Sequence, residues 1–483
     1  MAIKQTNNQE VNRQPSEQMT VKSSLLFSSK VSEHLPMVVE GKGNYLTLED
    51  ATTGKRRVVF DAMGGAAVVA LGHGDEEIIE VMGKAAKSSS YSFCAALTNY
   101  HAEELAQFII DKSPPGAFAQ ALFTCSGSES NENGMKTCRQ YYLEKGQPER
   151  CVFISRKQSY HGYTLGCLSL SESVRKDPFR AITLPAKQVP KVSQVYPYRN
   201  QKDGESTEEY CARLLQELED TVIEVGPEKV CAIMFETLTG STFGTSPAIP
   251  GYLLGVRKIC DKYDILMWLD EVMCGTGRSS ATGGLHCWES YPDFKGPDLQ
   301  SIGKTLGSGY VTIAGLLVSP KVQKAFVEGS NYISGGQTYH QHAFNCQVAL
   351  AVQKKIDRLN LRQNSYDQGE KLGKLLGQLA EETKTVGNVR GMGGFWSIEL
   401  VKNKETKEPF APELGIGPKI GAKCLENGMT SLGCGGTIDG KKGDHVTVAP
   451  SFITTDEDVA FIANTLIKSV KDVEAELEAA GHL

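Results

Sequence analysis

Short apolar runs alternate with amphipathic stretches through the middle of this chain. The runs 119–124, 151–155, 230–235, 265–269 and 313–318 are bounded by polar or turn-forming residues and read as buried strands. Between two of them, Thr207–Val225 carries Tyr210, Leu214, Leu218 and Val222 at helical spacing, with its Glu and Arg residues on the solvated side. Such alternation predicts a largely parallel sheet covered by helices, an α/β fold.

The flanks carry different patterns. Residues 45–60 alternate apolar and polar positions around Asp50-Ala-Thr-Thr-Gly54, which predicts a hairpin, and Gly64-Gly65 and Gly72-His73-Gly74 mark turns. Past Gly336, helical stretches and the strand pattern of 393–400 lead into the Gly-rich segment 433–443, and a smaller α+β domain is expected there. Residues 1–22 are rich in Gln, Asn and Ser and are expected to be disordered. The expected division is therefore 23–75 as an N-terminal part of the small domain, 76–335 as the large domain and 336–483 as the C-terminal small domain.

Composition narrows the function. With 483 residues, 40% hydrophobic and 22% charged, the chain has ordinary globular make-up, and its net charge of -6 provides no basic stripe for nucleic acid or an anionic membrane. Thirteen cysteines without a C-x-x-C pair indicate buried thiols in a reducing compartment rather than a disulfide framework or zinc knuckle. Neither a secretory leader nor an apolar stretch of membrane-spanning length is present, so a cytoplasmic location is expected. Small-molecule chemistry fits best.

Four segments carry candidate chemistry. Thr124-Cys-Ser-Gly-Ser-Glu-Ser-Asn131 joins a strand to a helix. Free amides and the helix dipole suit a phosphate there, and an ordinary N-cap by Ser126 or Ser128 is the plainer reading. The strands ending at Glu236 and Asp270 direct two carboxylates towards one crevice, since ligands of open α/β sheets sit beyond the carboxyl ends of the strands; surface ion pairs or helix caps are the alternative. Gly303-Lys304-Thr305 looks like the end of a nucleotide-binding loop, but such a loop needs glycine where Asp298 stands. A glycine-flanked lysine near a strand-end aspartate instead suits Schiff-base chemistry on a cofactor. Tyr160-His161-Gly162 supplies an aromatic ring and an imidazole that either stack on a planar cofactor or fill the core, and no carboxylate or cysteine pattern completes a metal site around His340 and His342, so no metal is expected.

In this order the motifs resemble the class III family of pyridoxal-phosphate-dependent aminotransferases, the ω-amino-acid and acetylornithine type. The resemblance runs from Pro36 to the C-terminus and is strongest over 125–349, through Leu269-Asp-Glu-Val-Met-Cys-Gly-Thr-Gly-Arg278, Ser301-Ile-Gly-Lys-Thr-Leu-Gly-Ser-Gly-Tyr310 and Gly336-Gln-Thr-Tyr-His-Gln-His342. It implies a fold type I large domain, pyridoxal 5'-phosphate as cofactor, and a homodimer with shared active sites, with dimers that do or do not pair into tetramers. It also implies Lys304 as the Schiff-base lysine and Asp270 as the partner of the pyridine nitrogen. Ser126, Gly127 and Ser128 become the phosphate cup, joined by Thr338 of the neighbouring subunit. Tyr160 and Val272 lie on the two ring faces, Glu236 lines the site and Arg278 is structural.

The substrate is less legible. Many family members carry an arginine soon after the position of Gly428 that clamps a substrate carboxylate, but here the run is Met429-Thr-Ser-Leu-Gly-Cys-Gly-Gly436. Arg390 is a substitute or a structural arginine, and Tyr91, Phe93 and Phe243 are expected to line the pocket. The expected reaction transfers an amino group from an amine or an α- or ω-amino acid to a keto acid or other carbonyl compound, in two half-reactions with ping-pong kinetics. Another pyridoxal-phosphate reaction on the same fold (decarboxylase, lyase or racemase) and a catalytically silent binding protein are the alternatives.

Overall fold

The computed structural model describes residues 25–27, 31 and 34–483. The disorder expected for 1–22 falls outside the described residues. The central sheet has seven strands in the order β4 (Gln120–Thr124), β10 (Ala314–Val318), β9 (Leu299–Ile302), β8 (Leu266–Glu271), β7 (Val230–Glu236), β5 (Val152–Arg156) and β6 (Lys191–Val192). All neighbours are parallel except β10, which runs antiparallel to both β9 and β4.

Every residue of β7 and β8 is buried, as expected of parallel strands covered on both faces. Period-2 alternation divides them between two cores. Ile233, Phe235, Met267 and Leu269 face one core, whereas Ala232, Met234, Leu266 and Trp268 face the other together with Cys138, Tyr141 and Tyr142 of the Gly127–Glu144 helix. The same alternation turns Glu236 and Asp270 towards that helix, and Glu271 away from it. Parallel register sets Glu236 beside Asp270 and Asp270 beside Ser301, so the strand ends lie level.

Gly134 shows how closely the helix approaches. A Cβ at this position would lie 2.3 Å from Trp268 Cζ2, so the helix carries glycine in its interior despite the propensity cost of ~1 kcal/mol. Trp268 Nε1 in turn donates to Ser301 Oγ at 3.0 Å, linking β8 to β9. The helix expected at Thr207–Val225 has those bounds and a Ser206–Glu209 capping box.

The expected hairpin is formed by β2 (Tyr45–Glu49) and β3 (Arg56–Phe60), with β1 (Met37–Lys42) completing an antiparallel three-stranded sheet. A second antiparallel sheet has the order β11 (Val386–Met392), β12 (Phe395–Leu400), β14 (Asp444–Val448) and β13 (Leu432–Gly435). Ile398, Leu400, Val446 and Val448 share a core with residues of the Leu361–Ala380 and Asp456–Ala479 helices. Phe60 also belongs to that core, and the backbone continues the connection: Phe60 N–H donates to Gly428 O (2.8 Å), Thr430 N–H to Phe60 O (2.9 Å) and Ala449 N–H to Ala62 O (2.8 Å). All thirteen cysteines are free thiols, and among the described residues no helix is long and apolar enough to cross a membrane.

Candidate active site

A cavity of about 350 Å3 opens at the carboxyl ends of β7, β8 and β9. It is lined by Asp270, Val272 and Lys304 from the strand ends, Gly127 and Ser128 from the helix start, Tyr160 from the loop after β5, and Glu236. Asp270 lies at its base, 5% exposed, and three donors converge on its carboxyl group. His161 Nδ1 and Asn131 Nδ2 each meet Oδ2 at 2.9 Å, and Val272 N–H meets Oδ1 at 3.0 Å. Asn131 also donates to His161 O at 2.6 Å, so one side chain fixes both the carboxylate and the backbone beneath the imidazole.

Lys304 follows β9 and adopts the left-handed conformation at φ 47°, a strain of about 1–3 kcal/mol for a residue with a side chain. Its Nζ donates to the carbonyl of Ala66 at 2.8 Å, in the kinked turn Gly64–Ala67. Burial holds this amine down to about 8, against the opposing pull of Asp270. A neutral, nucleophilic amine is therefore accessible near physiological pH. Glu236 Oε1 accepts from Gly240 N–H at 3.0 Å, while Oε2 is buried with no hydrogen-bond partner, and burial raises this carboxyl above its ordinary range.

Glycine permits the close approaches. A Cβ on Gly127 would lie 2.7 Å from Val272 Cγ1, and one on Gly162 would lie 2.6 Å from Ser128 Oγ. Ser128 Oγ instead accepts from Tyr163 N–H at 2.9 Å, which ties the loop of Tyr160 to the helix start. Ser126 is the N-cap, accepting from Glu129 N–H at 3.2 Å, and lies outside the cavity wall. The cap and the phosphate cup were alternatives for this side chain, and the cap is the bond it makes.

Several other expected residues stand elsewhere. Phe243 is 0% exposed and packs on Tyr196 with ring centroids 4.9 Å apart, so it belongs to the core and not to the wall of this cavity. Arg390 is no free carboxylate clamp either. It is buried, pairs with Glu399 at 2.6 Å and donates to Phe243 O. Tyr91 and Phe93 are exposed and outside the wall of this cavity, with Tyr91 against Tyr339 at 6.1 Å. Thr338 is an exposed turn residue that does not reach the cavity of its own chain. Arg278 is fully buried, bonded to the carbonyls of Val69, Gly394 and Pro450.

On the opposite sheet face, Glu271 accepts from Thr237, Cys287 N–H, Trp288 N–H and Gln300, and burial raises it to about 7. Among the described residues, Glu271 with Cys274 and Cys287 is the one group of metal-type donors within 4.8 Å of one another, and its carboxylate is already saturated by those bonds.

Sequence reasoning had no role for Asn131 or Arg175, and offered His161 only stacking or core filling where its Nδ1 in fact meets Asp270. Asn131 ended a segment already singled out, and its position one helical turn before Gly134 was the available signal. Arg175, in the 3-10 turn Val174–Ile182, belongs to no motif; its guanidinium lies 4.7 Å over the Tyr160 ring at the cavity wall.

The donor set suits pyridoxal phosphate. A lysine with depressed basicity, a carboxylate held by three donors, backbone amides at a helix start kept open by Gly127, and an unpartnered buried Glu236 oxygen all face one cavity. The sequence model of the family described as "Aminotransferase class-III" matches residues 27–470. An uncharacterized aminotransferase of Schizosaccharomyces pombe is 40% identical over 94% of this chain and 97% of its own length. A transaminase structure from directed evolution by ancestral reconstruction aligns at 30% identity with a TM-score of 0.84, covering 92% of this chain and 93% of that one. An omega transaminase from Pseudomonas jessenii in complex with PMP aligns at 27% identity and 0.82, covering 91% and 92%. The chain belongs to the class III aminotransferases, as a pyridoxal-phosphate-dependent transaminase of fold type I.

Proposed function

We propose that transamination in this protein runs on Lys304 and Asp270 as its two central groups, at an active site shared within a cytoplasmic homodimer. The observation that carries this reading is their convergence on one cavity, the carboxylate fixed by His161 and Asn131 and the amine with its basicity lowered by burial. The bound cofactor supplies an electron sink that stabilises negative charge at the substrate carbon.

In this reading Asp270 holds a positive charge at the pyridine nitrogen, and His161 and Asn131 keep its carboxyl group from turning away. Lys304 would hold the cofactor between turnovers, and when free its Nζ would accept and return a proton. The depressed basicity supports both roles, because a lysine near its ordinary value would be protonated at neutral pH and unable to accept. Tyr160 and Val272 would hold the two faces of the bound group, and the Gly127 and Ser128 amides would take its phosphate at the helix start that Ser126 caps. Glu236 limits the cavity beside the ring.

Thr338 of the partner subunit completes the phosphate site, and Tyr91 and Phe93 act at the subunit boundary. Their exposure on the isolated chain supports this, since a paired subunit would cover them. The chain divides into a large domain over 76–335 and a small one built from 23–75 and 336–483, supported by the bonds from Phe60 and Ala62 to the C-terminal part.

The test is direct. Purified protein should show the cofactor's visible absorption, which should shift when an amino donor is added, and Lys304→Ala should lose both the shift and catalysis. A colourless protein that takes up no cofactor would sink the reading.

A further inference from the structure

The family's clamp position after Gly428 holds no arginine, yet an unpaired guanidinium stands at the cavity. Arg175 lines the reaction cavity and also a smaller recess of about 150 Å3, whose wall is formed by Gln158, Cys434, Gly435, Gly436 and Gly440. Ser241 is likewise shared, so the two spaces meet at this pair. The guanidinium therefore stands at the junction of the cavity and the recess.

The side chain is positioned but not consumed. Its carbon centre lies 4.7 Å over the Tyr160 ring, and Nη1 donates to Ser241 Oγ at 3.1 Å. Stacking occupies the face of the guanidinium and leaves edge N–H donors for a planar anion. Among the described residues no carboxylate pairs with it.

The arginines around it are all engaged. Arg180 pairs with Glu172 and Asp177, Arg199 and Arg390 both pair with Glu399, Arg156 donates to Glu236 O, and Arg278 is consumed by carbonyls. A solvent-facing arginine is often merely a surface charge. One held over an aromatic ring at a reaction cavity, and paired with neither Glu236 nor Asp270 of the same wall, is better explained by an anion that arrives with the substrate.

The recess is also preformed. Gln158 Nε2 donates to Gly436 O at 2.7 Å, and Thr242 Oγ1 donates to Gln158 O at 2.6 Å, fixing the Gly-rich loop against the loop after β5. Gly436 and Gly440 both adopt positive φ, and a Cβ on Gly436 would lie 2.7 Å from Gly440 O, so this loop is folded on itself and brings no cation of its own to the recess.

We propose that Arg175 is the substrate-carboxylate anchor of this enzyme, supplying from the turn after β5 the charge that the segment after Gly428 lacks. Its substrates are amino and keto compounds that bear a carboxylate, rather than plain amines. This rests on the transaminase reading above and names the substrate class of that same site. The bidentate fork selects a planar carboxylate, and an amine of equal length without one leaves the guanidinium unmatched.

The experiment compares the holoenzyme with Arg175→Ala and Arg175→Lys in the first half-reaction, followed by the cofactor's absorption. Donors are matched pairs, alanine with 2-aminopropane and 5-aminopentanoate with pentylamine. A second arm measures binding of butanoate, a carboxylate without an amine, by calorimetry. Native enzyme should prefer an acid of at least one pair. Arg175→Ala should cut that acid-over-amine preference about 10- to 100-fold, carried mainly in KM, and weaken butanoate by a similar factor, with Arg175→Lys in between.

The proposal is overturned if acid and amine donors fall together, if butanoate binding is unchanged in Arg175→Ala, or if native enzyme prefers the amines. Failure of the transaminase reading looks different: no donor changes the cofactor spectrum of the native protein, and the butanoate arm still decides Arg175.

Discussion

Asp270→Asn replaces one carboxylate oxygen by an NH2 of nearly the same size. Donors reach both oxygens: His161 Nδ1 and Asn131 Nδ2 meet Oδ2, and Val272 N–H meets Oδ1. Either orientation of the amide therefore opposes N–H to N–H. If the NH2 faces Val272, a backbone donor that cannot turn is left unpaired. If it faces the other side, Asn131 must rotate and give up His161 O, or His161 must change tautomer. An unsatisfied buried donor costs about 1–3 kcal/mol, so cofactor-free protein should lose that much stability. Losing the charge opposite a buried pyridinium adds a penalty on the scale of a broken buried ion pair, about 3–5 kcal/mol, which is a fall of about 10^2- to 10^4-fold in kcat. Urea unfolding of the apo-protein reads the first term, and the half-reaction reads the second. His161→Phe combined with Asp270→Asn should cost less than the sum of the two single changes, because the imidazole acts through the carboxylate. An apo-protein as stable as the native one, with kcat within about threefold, would refute the reasoning.

Two further outcomes follow from the same geometry. Lys304 has a folded value of about 8 against an unfolded value of about 10.4, so between these the unfolded chain binds the extra proton and apo-protein stability from this group rises with pH; Lys304→Met should flatten that slope, and the rate of cofactor uptake by native apo-protein should climb through about pH 8, a flat uptake profile counting against the assignment. Gly134→Ala brings a Cβ to 2.3 Å from Trp268 and should destabilise by about 1–3 kcal/mol despite the better helix propensity, and a higher melting temperature would show that Trp268 can yield.

The legible parts of this chain are those where one physical demand governs a local run. Buried strands such as Val230–Glu236 need unbroken apolar residues, and the Thr207–Val225 helix needs one apolar stripe, so both are visible by eye. β9 was hidden because Leu299–Ile302 sets two adjacent polar residues, Gln300 and Ser301, between its apolar ends, both buried and satisfied by Glu271, Trp288, His286 and Trp268 from other elements. The antiparallel course of β10 was equally unreadable, since strand direction is decided by connections rather than composition. Lys304 and Asp270 stood out because glycines and strand ends surround them. Phe243 misled, and Arg390 was left between two roles, because exposure depends on partners outside their own segments, Tyr196 and Glu399. Arg175 escaped for the converse reason: its significance is the lack of an acidic partner, which no run of residues displays.

The bonds from Phe60 to Gly428 and Thr430, and from Ala62 to Ala449, have a consequence for how the protein is made. A strand ending at Phe60, and Ala62 just after it, wait for partners that are translated far later, at Gly428, Thr430 and Ala449. Until residue 430 has left the ribosome tunnel, the backbone groups of Phe60 have no partner there and its ring lacks the apolar neighbours it will share with Met429 and Val448. Through that interval the nascent chain carries the hairpin with an open edge, a window in which chaperones or a second ribosome's chain could occupy it. Arrest of synthesis before this point should yield a fragment that associates, and extension past Ala449 should release it.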